Sequence, residues 1–355
     1  MLRKFFKLLS LIAAVLILMV VSTPSAHALW ILEQDFTAVP PQTSSLTLAD
    51  PEIAIEVTAD SYNFPLGEQE ATQLYDKHAV FLQQGDAVDF TAVIPQEGLY
   101  TIWFDTAVPD TFLNPPEAQL LVDGAFPTID TQRIVFPIFY QNSGDEFPLD
   151  RYGNEALIRQ ENLTRWSKVP LRDANFSQAY PLQLQLEQGE HHFEFRLARE
   201  SLLLGSIYIE AFAPFPDYDH YLAENDLPDS SGVFIELEAE QPAYKNDTSI
   251  RPINSRSLEV TPYDTYQLVL NTLGGESWDR SGTTVYYEFN VPEDGNYFIT
   301  LRALQNVKSN FTVFRRITIN DAVLFEELNK VPFRYDTEWS NITLGGDTPY
   351  KIHLH

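Results

Sequence analysis

Apolar and polar residues alternate over several short segments of the chain, which is the period of a half-buried β-strand. In "GLYTIWFDTA" the alternation puts Tyr100, Ile102 and Phe104 on one face and Trp103 on the other. The stretch "YPLQLQLEQGEHHFEFRLA" alternates in the same way on both sides of a glycine-containing turn. Only "DYDHYLAEN" has the pattern of a helix, and a short one. The pattern predicts an all-β fold built from antiparallel β-sandwiches.

One of these segments occurs twice. "IPQEGLYTIWF" begins at residue 94 and "VPEDGNYFITL" begins at residue 291, an offset of 291 − 94 = 197 positions. Further along, "RWSKVPL" begins at residue 165 and "EWSNITL" at residue 338, an offset of 338 − 165 = 173. The first copy therefore carries 197 − 173 = 24 extra residues, which we place in "IDTQRIVFPIFYQNSGDEFPLDRYGNE". A period this long indicates a duplicated domain.

The duplication predicts two tandem sandwiches, at residues 51–213 and 233–355, joined by an acidic, proline-bearing linker at 214–232. Residues 29–50 are polar and contain proline, so we expect an extended segment there. The second copy stops matching at the hairpin turn that the first copy continues into "GEHHFEFRLA". We therefore expect the second sandwich to lack its last strands at the C-terminal end. The alternative is a second sandwich that is naturally shorter.

The first 28 residues have the three parts of a secretory signal peptide. "MLRKFFK" is basic, an apolar run follows, and the small residues Ala26 and Ala28 come just before the expected cleavage point, which is after Ala28. The alternative is a membrane anchor, for which the run is short. Cleavage would change the formal net charge from −27 to −30, because it removes three basic residues and no acid. We expect a secreted protein with no transmembrane segment after cleavage and no nucleic-acid partner.

The stretches "IELEAEQPAYKNDTSIRP", "GGESWDRSGTTVYYEFNVPEDGNYFITLRALQN" and "VFRRITINDAVLFEEL" carry a family resemblance, as does "DRYGNE" with "RWSKVPLRD". They resemble the region that precedes the solute-binding domain in large secreted ABC-transporter substrate-binding proteins of Gram-positive bacteria. Both copies are also similar to the galactose-binding-like jelly rolls of carbohydrate-binding module families six and thirty-five. The resemblance covers about residues 50–355.

The resemblance implies a non-catalytic, cell-surface protein that binds an oligo- or polysaccharide, with a further C-terminal domain that meets an ABC permease. Two alternatives remain open. The sandwiches could be targeting modules of a polysaccharide-degrading enzyme, or structural spacers and protein-docking modules that bind no sugar.

In the carbohydrate-binding modules that the chain resembles, sugars stack on aromatic rings at one end of the sandwich, while carboxylates, Asn and Arg bind the sugar hydroxyls. The candidates that this implies are Tyr62, Phe64, Trp103, Tyr140, Trp166, Asn154 and Glu155 in the first copy, and Trp278, Arg280, Asn306 and Trp339 in the second. Each has a structural alternative. Trp166 and Trp339 recur in both copies, which favours core packing. Trp278 could cap the end of its sandwich, and the insertion could cover Trp103.

The same family commonly holds a structural calcium ion. The resemblance implies Glu238 and Glu240 as ligands, because alternate positions on a strand point the same way and carboxylate oxygens suit a hard cation. An exposed strand face is the alternative. We expect no other cofactor. The chain has no cysteine, and no phosphate loop, nucleophile elbow or zinc-binding helix motif is found. We therefore predict no enzymatic activity, and a solvated turn rather than a metal site at "EHH" (190–192).

Overall fold

The computed structural model describes residues 47–65, 71–109, 114–225, 228–230 and 232–355. The predicted signal peptide and almost all of the predicted extended segment lie outside these residues. Residues 48–355 form one compact unit. Among the described residues, no helix has both the length and the apolar character needed to cross a membrane.

The first copy consists of strands and two short 3₁₀ turns, Ala59–Ser61 and Ile129–Gln132. The strands are β1 (Ala54–Val57), β2 (Thr72–Leu74), β3 (Lys77–Gln83), β4 (Ala87–Ile94), β5 (Gly98–Ala107), β6 (Glu117–Val122), β7 (Ile134–Val135), β8 (Phe139–Asn142), β9 (Gln160–Leu163), β10 (Ser167–Pro170), β11 (Gln183–Leu186), β12 (Gly189–Arg199) and β13 (Ser201–Ala211).

Two antiparallel sheets of the first copy pack face to face, as the alternation predicts. One has the order β10-β5-β13-β3-β2, with β1 also paired to β13 and β11 also paired to β5, and the other has the order β4-β12-β6-β7. Phe104, Phe136 and Phe195 are fully buried between them, with ring centroids 5.4–5.9 Å apart. Burial of such rings contributes most of the stabilisation of a sandwich core. The all-β sandwich prediction is confirmed.

The second copy has shorter strands and two helices, α1 (Tyr218–Glu224) and α2 (Glu326–Asn329), with a 3₁₀ turn at Gly275–Ser277. Its strands are β14 (Tyr244–Lys245), β15 (Pro252–Ile253), β16 (Thr272–Leu273), β17 (Val285–Tyr286), β18 (Gly295–Tyr297), β19 (Thr300–Ala303), β20 (Val313–Arg315), β21 (Val331–Phe333), β22 (Ser340–Thr343) and β23 (Ile352–Leu354). Its separate core is centred on Phe325, Leu328 and Ile352, which are fully buried.

The strand register repeats between the copies at the offsets seen in the sequence. Trp103 of β5 lies opposite Pro170 of β10, and Thr300 of β19 lies opposite Thr343 of β22. The β6–β7 ladder recurs as β20–β21, and the β5–β11 ladder recurs as β18–β23. No strand among the described residues takes the places of β12 and β13 in the second copy.

The extra residues of the first copy pair with the second copy. Strands β8 and β9 form a hairpin, and β8 pairs with β14, which gives a sheet of order β17-β14-β8-β9. The insertion also begins later than predicted. Residues 129–135 have a counterpart in 326–332, since Glu117 lies opposite Val135 where Phe314 lies opposite Pro332.

The predicted linker is part of the second core. Helix α1 begins after Asp217, whose side chain accepts a hydrogen bond from the His220 amide at 2.8 Å. Tyr218 and Tyr221 of this helix accept hydrogen bonds at their hydroxyls from backbone amides of residues 351 and 353, at 2.8 and 3.0 Å. The helix therefore covers the edge of β23 and does not act as a spacer.

Each repeated turn ends at a glycine that lies against an earlier segment. A Cβ at Gly98 would lie 2.6 Å from the Ala49 nitrogen, and one at Gly295 would lie 3.1 Å from the Pro228 carbonyl oxygen. Neither glycine has a positive φ. Close approach of two backbones therefore explains the glycine at both positions, and the turn conformation does not.

Candidate functional site

A row of side chains crosses the outer face of the larger sheet of the first copy. On β5, Trp103 points away from the core residues Ile102 and Phe104 and is half-buried. It lies opposite Pro170 of β10 on one side and Tyr208 of β13 on the other. Directly opposed residues on one face lie within contact distance, so these strands present one continuous surface.

Lys168 joins the aromatic rings of this surface. Its ammonium nitrogen lies 5.3 Å from the Trp103 ring centroid, 4.4 Å from the Tyr208 ring centroid and 2.6 Å from Glu210 Oε1. Trp103 Nε1 donates to Thr101 Oγ1 at 3.2 Å, which orients the indole. A partly exposed ion pair contributes little to stability, so the cation–π geometry is the more informative feature.

A second tryptophan lies on the same face. Trp166 Nε1 donates to the Tyr75 carbonyl oxygen at 2.9 Å, and Lys77 lies 5.3 Å from the Trp166 ring centroid. Lys77 also pairs with the buried Asp105 at 2.5 Å. Pro170 of β10 lies opposite Trp103, and Trp166 precedes Pro170 by four residues. Four residues correspond to about 13 Å along a strand.

We call these eight side chains the outer aromatic face: Glu56, Lys77, Trp103, Asp105, Trp166, Lys168, Tyr208 and Glu210. Burial is the main cause that raises the pKa of Tyr208, and the carboxylates of Glu56 and Asp105 act in the same direction. The phenol therefore stays protonated at neutral pH and can donate a hydrogen bond. The face combines half-buried aromatic rings with hydrogen-bond donors and acceptors, as ligand sites do.

Three predicted residues of the first copy lie elsewhere. Tyr62 is 6% exposed and its hydroxyl donates to the Gly205 carbonyl oxygen at 2.6 Å, so its ring belongs to the core and cannot stack on a sugar. This corrects its assignment as a binding residue. Phe64 and Tyr140 are half-buried and pack against the same core.

Asn154 and Glu155 bind the second copy. Asn154 Oδ1 accepts from the Leu268 amide at 2.9 Å, and Glu155 Oε2 accepts from the Leu270 amide at 2.6 Å. Both residues lie at the C-terminal end of the insertion, and their side chains bind the backbone of residues 268–270. We call these two hydrogen bonds the clasp. Their observed role is structural, which differs from the predicted sugar contact.

The second-copy candidates are dispersed. Trp278 lies under the Arg315 guanidinium, 4.7 Å from its ring centroid, and Arg280 faces Asp247 at 3.7 Å. Asn306 is exposed in a loop, and Trp339 is half-buried just before β22. No contact among the described residues joins these four candidates to the outer aromatic face.

The two glutamates named as calcium ligands are placed differently from the prediction. Glu238 and Glu240 lie in an irregular segment and a turn before β14, not on a strand. Glu240 is 3% exposed, and burial raises its pKa to about 7, with Glu238 and Glu155 adding to the shift. The described residues contain no group of three or more His, Asp and Glu that could hold a metal ion.

The "EHH" segment (190–192) lies on β12 and not in the turn that the sequence predicted, and His191 takes part in a local hydrogen-bond network. The two ring nitrogens of His191 lie 2.6 Å from Asp123 Oδ2 and 2.9 Å from the Glu187 carbonyl oxygen. Hydrogen bonds to these oxygens outweigh burial and raise the pKa of His191. Both nitrogens are therefore engaged, which leaves neither available as a metal ligand.

Sequence reasoning missed Lys168, Tyr208 and Glu210. The signal for the last two is the alternation in "GSIYIEA", where Ile207 and Ile209 point inward and Tyr208 and Glu210 outward. Their position beside Trp103 depends on the pairing of β13 with β5, which local alternation does not specify.

No protein-family model and no curated protein matches this chain. Among solved structures, a family 36 carbohydrate-binding module in complex with calcium and xylotriose is 9% identical, covers 44% of this chain and 99% of its own, and has a TM-score of 0.28. A native family 35 carbohydrate-binding module from Clostridium thermocellum is 14% identical, covers 47% and 99%, and has a TM-score of 0.24.

A family 26 mannanase from Podospora anserina that carries a family 35 carbohydrate-binding module is 13% identical, with a TM-score of 0.28. The match covers 46% of this chain and 28% of the mannanase, so the chain spans less than a third of that enzyme's length. Identities and TM-scores this low do not assign a family or a function.

Proposed function

We propose that this protein is a non-catalytic carbohydrate-binding protein and that the outer aromatic face binds an oligo- or polysaccharide. The observation that carries the proposal is Trp103 on the open face of the sheet, held beside Tyr208 and Lys168. A pyranose has an apolar face of C–H groups that stacks on an aromatic ring, while its hydroxyls need donors and acceptors nearby.

The shape of the face supports a ligand longer than one sugar. Trp103 and Trp166 are about 13 Å apart along the strand direction, which exceeds the width of one pyranose ring. Lys168 and Lys77 lie between them and supply hydrogen-bond donors for hydroxyls. Two rings at this separation on one face suit a chain that lies across the sheet.

The finer context rests on the sequence resemblance. It favours the N-terminal part of the solute-binding component of a sugar ABC importer, secreted to the surface of a Gram-positive bacterium and joined to its permease by a further domain. Targeting modules of a polysaccharide-degrading enzyme would use the same face in the same way. Spacer modules would leave it without a ligand.

Affinity electrophoresis in gels that contain plant or bacterial polysaccharides tests the proposal. We expect at least one glycan to retard the protein, and Trp103→Ala to weaken that retardation about tenfold in dissociation constant. Trp339→Ala, which removes an indole from the second copy, is the matched control and should leave retardation unchanged. Circular dichroism and melting temperature check that both variants fold.

Unchanged migration in every glycan would contradict the proposal and favour a spacer role. Loss of retardation in Trp339→Ala but not in Trp103→Ala would move the site to the second copy.

A further inference from the structure

A cavity lies between the insertion of the first copy and the second copy. Its volume of about 340 Å³ falls within the range of about 300–1,000 Å³ that is usual for ligand pockets. One wall comes from the β8–β9 hairpin and the loop that joins its strands, and the other comes from residues 248–252, which lead into β15. The cavity therefore needs both the insertion and the second copy.

Four polar side chains line this cavity: Asn142, Gln160, Thr248 and Arg251. Asn142 and Gln160 lie directly opposite each other on β8 and β9, so their side chains lie on the same face of the hairpin. Within the part of the chain that the structure describes, the amides of Asn142 and Gln160 and the hydroxyl of Thr248 have no hydrogen-bond partner. All three residues are half-buried, so these groups are available to a ligand.

Arg251 contributes a positive charge to the lining. Its Nε donates to the Thr248 carbonyl oxygen at 3.2 Å, while its two terminal nitrogens have no acceptor and no ion pair among the described residues. The nearest carboxylate along the chain, Asp247, faces Arg280 at 3.7 Å. Burial, and after it the charge of Arg251, lowers the pKa of Lys245 to about 8 against the opposing effect of Asp247. This side of the cavity therefore keeps an uncompensated positive charge.

The backbone that carries Arg251 is held on both sides. The Gly274 amide donates to the Arg251 carbonyl oxygen at 3.2 Å, and Pro252 pairs with Leu273 in the β15–β16 ladder. The buried ammonium of Lys245 donates to the carbonyl oxygen of residue 250. A wall that is already ordered lowers the entropic cost of binding a ligand.

The chemistry of the lining selects a class of ligand. A guanidinium binds the oxygens of a carboxylate or a phosphate through two parallel N–H bonds. Amides and hydroxyls exchange hydrogen bonds with the hydroxyls of a sugar. The rest of the lining is apolar and includes Phe147 and Pro252, which can contact the C–H groups of a sugar ring.

We propose that this cavity binds an acidic sugar, whose carboxylate or phosphate lies on Arg251 and whose hydroxyls lie on Asn142, Gln160 and Thr248. The inference concerns a different site from the outer aromatic face and does not depend on sugar binding there.

Isothermal titration calorimetry of the full chain with glucuronate, glucose 6-phosphate and glucose tests the proposal. We expect at least one acidic sugar to bind saturably and at least about tenfold more tightly than glucose, because glucose has no charged partner for Arg251. Comparison of the two acidic sugars distinguishes a carboxylate from a phosphate ligand. Acetate and inorganic phosphate lack the sugar hydroxyls and should bind at least about tenfold more weakly than the acidic sugar with the same charged group.

Three variants locate the site. Arg251→Ala should weaken binding of the acidic sugar at least about tenfold, and Arg251→Lys, which keeps the charge without the planar fork, should weaken it less. Arg256→Ala removes an exposed arginine that does not line the cavity and should change binding by less than about twofold. Melting temperature checks that the variants fold. If Arg251→Ala does not fold, Arg251→Lys and the five ligands with the unaltered chain still decide the question.

Trp103→Ala separates this site from the outer aromatic face, and it should leave binding of the acidic sugar unchanged. Binding that is lost in Trp103→Ala and kept in Arg251→Ala would place the acidic sugar on the outer aromatic face and overturn the proposal.

The proposal is also overturned if neither acidic sugar saturates, or if glucose binds equally well. Equal binding of acetate or inorganic phosphate would show a site for a bare anion and not for a sugar. Equal weakening in Arg251→Ala and Arg256→Ala would show a general effect of charge in place of a contact in the cavity.

Discussion

The two copies share strand register and differ in burial. Tyr100 and Tyr297 both donate their hydroxyl to the carbonyl oxygen four residues earlier, at 2.6 and 2.7 Å. Phe104 is fully buried, whereas its equivalent Leu301 is half-buried. The difference teaches that turn and register follow local sequence, while burial depends on β12 and β13, which come from a distant part of the chain.

The outer face differs as well. Trp103, Asp105 and Lys168 are replaced in the second copy by Thr300, Arg302 and Asn341. There, the hydroxyls of Thr300 and Thr343 lie 2.9 Å apart, and Arg302 donates to Asn341 Oδ1 at 3.1 Å. The second copy therefore has polar pairs where the first has an aromatic surface. This contrast agrees with a sugar-binding role proposed for the first copy alone.

The largest expected difference between the copies concerns their cores. Phe104→Ala should lower the free energy of unfolding by about 3–5 kcal/mol, because it leaves a cavity among buried rings. The equivalent change Leu301→Ala should cost about 1 kcal/mol, because the side chain is already partly exposed. Guanidinium unfolding of the full chain measures both. Equal costs would mean that Leu301 is as well packed in solution as Phe104.

The second largest expected difference is in how the free energy of unfolding depends on pH. Burial raises the pKa of Glu240 in the folded state to about 7 from an ordinary value of 4.5. Its counterpart in the first copy, Asp60, is exposed to solvent. The folded chain therefore retains a proton that the unfolded chain releases. The stabilisation of the folded state by this proton is fully present below pH 4.5 and declines as the pH rises to about 7.

The loss between these two pH values should be at most about 3 kcal/mol. Glu240→Gln should remove the decline, whereas Glu236→Gln, at an exposed position nearby, should keep it. Urea unfolding at several pH values provides the measurement. A decline that persists in Glu240→Gln would assign the pH dependence to another group.

The glycine contacts provide a smaller contrast. Gly98→Ala should cost about 2 kcal/mol, because the added methyl group would collide with the Ala49 backbone. Gly295→Ala should cost less, because the nearest atom is 3.1 Å away and a small shift relieves the contact. Melting temperatures of the two variants rank the costs. The reverse order would show that the segment at residue 49 yields more easily than that at residue 228.

The smallest expected effect concerns the clasp between the copies. Asn154→Ala removes the acceptor for the Leu268 amide and should cost about 1 kcal/mol. Deuterium exchange at residues 268–270 should become faster, with little change in the first-copy core. Glu161→Ala, at an exposed position of β9, should leave that exchange unchanged. Similar exchange in both variants would show that the clasp does not hold this segment.

Sequence patterns were sufficient for part of this picture. Alternation identified the faces of β5 and the outward position of Trp103, and the offsets identified the ladders that recur. The pattern around Glu238 and Glu240 was misread, because alternate acidic residues can lie in a turn as well as on a strand. Tyr62 was misassigned since a tyrosine near a strand end can point either way, and only packing against Phe90 decides.

Strand alternation, the duplication and the repeated turns could be read from the chain because each depends on neighbours a few residues apart. Three features needed the tertiary structure: the position of Tyr208 beside Trp103, the pairing of β8 with β14, and the difference in burial between Phe104 and Leu301. Each brings together residues about a hundred positions apart, or depends on a strand that covers one copy and not the other. Local periodicity specifies which way a side chain points, and only the assembled sheets specify what it meets there.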